Sequence, residues 1–221
     1  KNLRTVQGEL ETALKSTFNY CRRVKFASRT DSGVHSLGQV VLINLGDTDI
    51  SLKDFRKAIN NNSPSDMSVR ECQEVTESFD PRRDAIAREY VYKISLKDYM
   101  SPFEAKLIAD MGLGIDISLL KESAHFFEGV HDFKSLTGRS FPKNGNSVRR
   151  VFNITCIKKE TLIEIRVLGN SFVHQQVRRI VALMVKVSQG IYLLNKIEEI
   201  LKSEKKSGLS FLAPANGLYL N

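Results

Sequence analysis

Ser28-Arg29-Thr30-Asp31-Ser32-Gly33-Val34-His35 is a polar turn between two apolar runs. How the chain passes through it decides the fold. Before the turn, Val24-Lys25-Phe26-Ala27 reads as a strand. After it, Gln39 to Asn44, with Val40, Val41, Leu42 and Ile43, is too uniformly apolar for a solvated face and fits a buried strand. No helical segment separates the two, and the rest of the chain also mixes strand and helix without regular βαβ alternation. That pattern predicts an α+β fold with hairpins rather than a doubly wound parallel sheet.

Working outward, Thr5 to Asn19 places Val6, Leu10, Ala13, Leu14 and Phe18 on one helical stripe. Ser51 offers an N-cap to a helix through Phe55, Ala58 and Ile59, which Asn60-Asn61-Asn62-Ser63-Pro64 stops. Ser68 to Val75 reads as a strand, as does Arg88 to Leu96, where Tyr90, Tyr92 and Ile94 alternate. The stretch from Lys97 to Asp116, with its loose glycines and proline, is the candidate boundary between segments 1–97 and 98–221. A helix follows from Ser118, taken as its N-cap, to Glu128. Strands over Arg149 to Ile157 and Leu162 to Val167 come next, then helices over Ser171 to Ser188 and Asn195 to Lys202. Gly217 to Leu220 reads as a closing strand. Each half therefore reads as helices on one face of a mainly antiparallel sheet.

Composition narrows the function. Thirty-three Lys plus Arg against 25 Asp plus Glu leave a net charge of +8 over 221 residues, which favours an anionic partner: RNA, DNA or a membrane surface. No run approaches the roughly 20 uninterrupted apolar residues of a membrane helix, and the longest, around Ile180 to Val187, contains Lys186. Cys21, Cys72 and Cys156 form no CxxC pair, so buried or incidental thiols in a reducing compartment are expected rather than disulfides or structural zinc. No Walker loop or HExxH stretch calls for a metal or a cofactor. The turn at Asp31 has a plain structural reading, with Asp31 capping the backbone and Gly33 supplying a positive φ. Its chemical reading rests on a loop that presents functional groups from a rigid scaffold.

Arg29-Thr30-Asp31-Ser32-Gly33-Val34-His35, followed by Gly38-Gln39-Val40, resembles the active-site motif of the TruA-type tRNA pseudouridine synthases. Further stretches resemble that family's motifs in order. They are Phe79-Asp80-Pro81-Arg82-Arg83-Asp84-Ala85 leading into Arg88-Glu89-Tyr90-Val91-Tyr92, and His131-Asp132-Phe133-Lys134-Ser135-Leu136-Thr137. The last are Ser171-Phe172-Val173-His174-Gln175-Gln176-Val177-Arg178-Arg179-Ile180-Val181 and Ala213-Pro214-Ala215-Asn216-Gly217-Leu218-Tyr219-Leu220. Departures are small: Ser32 and Ser36 stand where the family commonly has Ala, and Ala182 where it often has Gly. The resemblance also implies a first strand with a Tyr-Asp-Gly segment ahead of the first helix. The sequence starts at Lys1, so a missing piece is expected there.

The resemblance implies two ferredoxin-like or RRM-like subdomains that form a central, mainly antiparallel sheet with a basic active-site cleft. It implies an isomerase that converts uridine to pseudouridine in the tRNA anticodon stem-loop, at tRNA positions 38 to 40. Asp31 would be the nucleophile, attacking ribose or base, or would abstract a ribose proton. Each role needs an ionised carboxylate away from water, so a cation should sit beside it, and Arg178 is the matching partner. Tyr90 would stack on the target uracil near the carbon that loses a proton. Arg29 would fill the space left by a flipped base. His35 and Gln39 would order the loop or touch RNA, while Arg82, Arg88 and Arg179 would meet phosphates. tRNA as partner, a homodimer, no membrane, no cofactor and a cytoplasmic setting follow from the same resemblance, with an organelle or the nucleus left open. The competing class is a catalytically silent RNA-binding or tRNA-chaperone protein on the same scaffold.

Overall fold

The computed structural model describes residues 3–19, 23–46, 48–138, 140–142, 144–203 and 211–221. Cys21 lies outside these residues. The fold is α+β, and the chain divides into two compact units: 1–28 with 40–84, and 29–39 with 85–221.

In the first unit, helix α1 (Val6–Phe18) starts where the Thr5 side chain accepts from the Gly8 amide and stops at left-handed Asn19. Helix α2 (Leu52–Asn62) is capped in the same way by Ser51 on the Asp54 amide. Strand β1 (Lys25–Phe26) pairs antiparallel with Val41–Leu42. The helices bury Leu10, Leu14, Phe55 and Ile59 with Val24, and Phe18 stacks on Phe55 at 5.1 Å between centroids. This two-stranded sheet is covered on one face, so Val40 stays 49% exposed and the expected fully buried strand is only half-buried. The stretch 68–75 is not a strand. Its polar backbone is satisfied by side chains instead: Asn60 brackets Val69, donating to its carbonyl at 2.9 Å and accepting from its amide at 2.7 Å.

The second unit is built on six strands. β2 (His35–Ser36) leaves the Asp31 turn; with Val41–Leu42 as β3, the others are β4 (Arg88–Ser95), β5 (Gly129–Asp132), β6 (Val148–Lys158), β7 (Leu162–Gly169) and β8 (Leu218–Leu220). Their order is β2-β8-β4-β7-β6-β5, parallel only at β2/β8. Strand β4 is flanked by β7 and β8 on its two sides. Strand β5 carries no readable alternation, and Val130 on it is 63% exposed.

Helix α3 (Ile117–His125) is capped by Asp116, whose carboxylate accepts from the Ser118 and Leu119 amides at 2.7 and 3.1 Å. That displaces Ser118 from the expected cap. The segment expected to be helical from Ser171 begins only at Gln176, giving α4 (Gln176–Ser188), and α5 (Asn195–Lys202) follows. Helix α4 is buried nearly all round, with Ile180, Val181, Leu183 and Met184 in the same core as Tyr92, Ile94, Ile163 and Ile165. Among the described residues, no helix is long and apolar enough to cross a membrane.

Candidate active site

The site lies within the second unit. The Val34 amide donates to the Asp31 carbonyl at 3.1 Å, closing a β-turn whose third residue, Gly33, has φ +82°. A side chain at Gly33 would be strained there and would also press on Ala215, 3.3 Å away. Beyond the turn, β2 pairs His35 with Tyr219 and Ser36 with Leu220, and the Leu37 amide donates to the Leu220 carbonyl at 2.7 Å. The loop that presents Asp31 is thus tied to the sheet through β8.

The first turn of α4 supplies the partner. The Arg178 Nη1 donates to Asp31 Oδ2 at 2.6 Å, and its Nε donates to the Ala213 carbonyl at 2.8 Å. The Asp31 and Arg178 side chains are 20% and 12% exposed, so the charges meet with little water around them. Segment 213–214 is pinned from the other side, where the Tyr92 hydroxyl donates to the Pro214 carbonyl at 2.8 Å. Burial pushes that hydroxyl well above the ordinary phenol range, and the Arg178 charge pulls weakly the other way. Tyr92 therefore remains a donor at any physiological pH.

On the other carboxylate oxygen, His174 Nε2 lies 3.2 Å from Asp31 Oδ1. His174 immediately precedes Gln175, a non-glycine residue held at φ +66°. The Gln175 carbonyl accepts from the Arg179 amide at 3.1 Å, and its side-chain oxygen accepts from Arg179 Nη2 at 3.2 Å. Gln176 then bonds back to the Val173 amide through its side chain at 2.8 Å, closing the turn. Sequence reading passes over His174, and because it lies two residues ahead of α4 no helical spacing links it to Arg178.

The other expected residues are dispersed. Tyr90 on β4 pairs with Val167 and Leu220, is 7% exposed, and meets Phe172 edge-on at 5.4 Å. Arg29 is exposed, and among the described residues no hydrogen bond or ion pair holds its guanidinium. His35 is taken up by structure, stacked on Tyr219 at 4.7 Å with Nε2 donating to the Lys106 carbonyl at 2.8 Å. Gln39 is half-buried. Arg88 donates to the Asn170 carbonyl at 3.1 Å. In the first unit, Arg82 is exposed on a loop whose backbone is gathered by Asp80, which accepts from the Arg82 and Arg83 amides at 3.0 and 3.1 Å. Those amide bonds hold the Asp80 carboxyl below its usual range.

The tRNA pseudouridine synthase family matches residues 1–82 and 124–221, and the chain belongs to that family. Among its relatives is tRNA pseudouridine synthase A of Thermotoga sp. (strain RQ2), 35% identical over 219 residues, covering 99% of this chain and 89% of the relative. The enzyme of the same name from Fervidobacterium nodosum is 37% identical over 220 residues, with 99% and 89% covered. tRNA pseudouridine synthase A 2 of Bacillus anthracis is 31% identical over 219 residues, again with 99% and 89% covered.

Proposed function

We propose that the chain isomerises uridine to pseudouridine in the anticodon stem-loop of tRNA, at tRNA positions 38 to 40, with Asp31 as the essential carboxylate. In that reaction the bond from uracil N1 to ribose C1′ breaks and a bond from C5 to C1′ forms. The C5 hydrogen leaves as a proton and N1 takes one up, so atoms and charge balance without a co-reactant. The observation that carries the reading is the 2.6 Å contact between Asp31 and the largely buried Arg178. A carboxylate so held has an oriented charge in a site that excludes most water, as nucleophilic attack on ribose or base, or abstraction of a ribose proton, each requires.

Tyr90 is the residue to stack on the flipped uracil beside C5, and Arg29 is the one to enter the vacated stack. The exposed Arg29 guanidinium, held by nothing else among the described residues, supports that assignment. The working unit is a homodimer on one tRNA. The direct test uses tRNA transcribed with uridine tritiated at C5, because each turnover releases one tritium to water. Release by the wild type, with loss of at least about 10³-fold in the Asp31→Asn variant, is the expected result. Mapping the product by carbodiimide adducts should place it at positions 38 to 40. Tight, salt-sensitive binding without tritium release would instead indicate a silent RNA-binding protein.

A further inference from the structure

We infer that His174 is a positioning residue that fixes the orientation of the Asp31 carboxylate through a locked imidazole tautomer. The inference rests on the reading of Asp31 as the essential carboxylate. Its Nε2 faces Asp31 Oδ1 at 3.2 Å. A carboxylate oxygen only accepts, so Nε2 is the nitrogen that carries the hydrogen. In the neutral ring Nδ1 is then an acceptor, and the Ser140 hydroxyl, 3.1 Å away, is the group that donates to it. The tautomer is thus set from the far side of the ring, as in other sites where a second partner fixes a histidine.

The ring, 42% exposed, packs on one side against Gly138. A Cβ at Gly138 would overlap it, coming within 2.9 Å of His174 Cε1, and the Gly138 amide donates to the His174 carbonyl at 3.0 Å. The left-handed Gln175 that follows turns the backbone sharply between His174 and α4. A non-glycine residue persists in that conformation only where its surroundings over-determine it, and such positions gather at functional sites. Both carboxylate oxygens therefore face a nitrogen: Oδ2 accepts from Arg178 at 2.6 Å, and Oδ1 has His174 Nε2 at 3.2 Å. Arg178 supplies charge; His174 removes the remaining rotation about the Cβ–Cγ bond.

Steady-state tritium release from tRNA by His174→Leu, His174→Gln and Asp31→Asn tests this. Gln can place an amide N–H where Nε2–H stood. The expected result is a fall in kcat of about 10- to 100-fold for H174L with KM within about threefold of wild type, because misorientation costs turnover rather than binding. H174Q should recover to within about threefold of the wild-type kcat. Undiminished kcat in H174L overturns the inference, as does equal impairment of both variants, or a raised KM at constant kcat, which would make His174 an RNA contact. An inactive D31N beside an unimpaired H174L removes the role of His174 alone, whereas an active D31N removes the Asp31 reading as well. Independently, ring nitrogen-15 spectra recorded well above the ordinary imidazole pKa of about 6.5 should show the resonance lost in H174Q as an Nε2–H, bare-Nδ1 ring; an Nδ1–H pattern overturns the lock.

Discussion

Arg178 performs two tasks with one guanidinium: Nε holds the Ala213 carbonyl while Nη1 holds Asp31. The planar fork aims donors on two separate nitrogens in fixed directions, whereas an ammonium carries its three donors on a single atom. Arg178→Lys should therefore lower kcat about 100-fold in the tritium-release assay, while Tm falls by no more than about 4 °C, since the charge opposite Asp31 survives. Loss of folding in a melting experiment would instead make Arg178 chiefly structural. The pairing of Asp31 with Arg178 is legible in the sequence only through the family resemblance of the two motifs, because 147 residues separate them. His174 is less legible still. What aims its ring is a left-handed Gln175 and the missing side chain at Gly138, and neither backbone angle nor empty space shows in a linear pattern.

Elements with local signals are read directly. The apolar stripe over 5–19 announces α1, Ser51 announces α2, and alternation announces β4. The stretch 68–75 has a strand's composition but no neighbouring strand among the described residues, and Asn60 bonds both backbone groups of Val69. Strand β5 shows the opposite case, with little local signal and a pairing to β6 that creates it. In the hairpin, Glu164 is 7% exposed yet accepts from Lys159 at 2.8 Å and Arg166 at 3.4 Å. The bond from Lys159, more than that from Arg166, holds its carboxyl below the ordinary range. Because the folded value is depressed, the stability it contributes is full above the unfolded value of about 4.3 and is lost as pH falls through the lower folded value. Glu164→Gln should lower Tm by about 2–6 °C at neutral pH, with the gap to wild type closing in acid below about pH 4. A gap independent of pH, measured by calorimetry, would mean that shape rather than charge matters there.

For the whole molecule, the net charge of +8 suits a polyanionic substrate such as tRNA. tRNA affinity should drop at least about tenfold between 50 and 200 mM salt, and Arg82→Gln should weaken binding while reducing the log–log slope by about 1. Filter binding across a salt series reads both; a flat series would argue against phosphate contacts as the main attraction. Among the described residues strand β2 pairs with β8, and Ser36 and Leu220 meet across 184 residues. The loop that carries Asp31 is therefore held by residues 218–220, far from it in sequence, and a chain from which they are removed should lose that anchor.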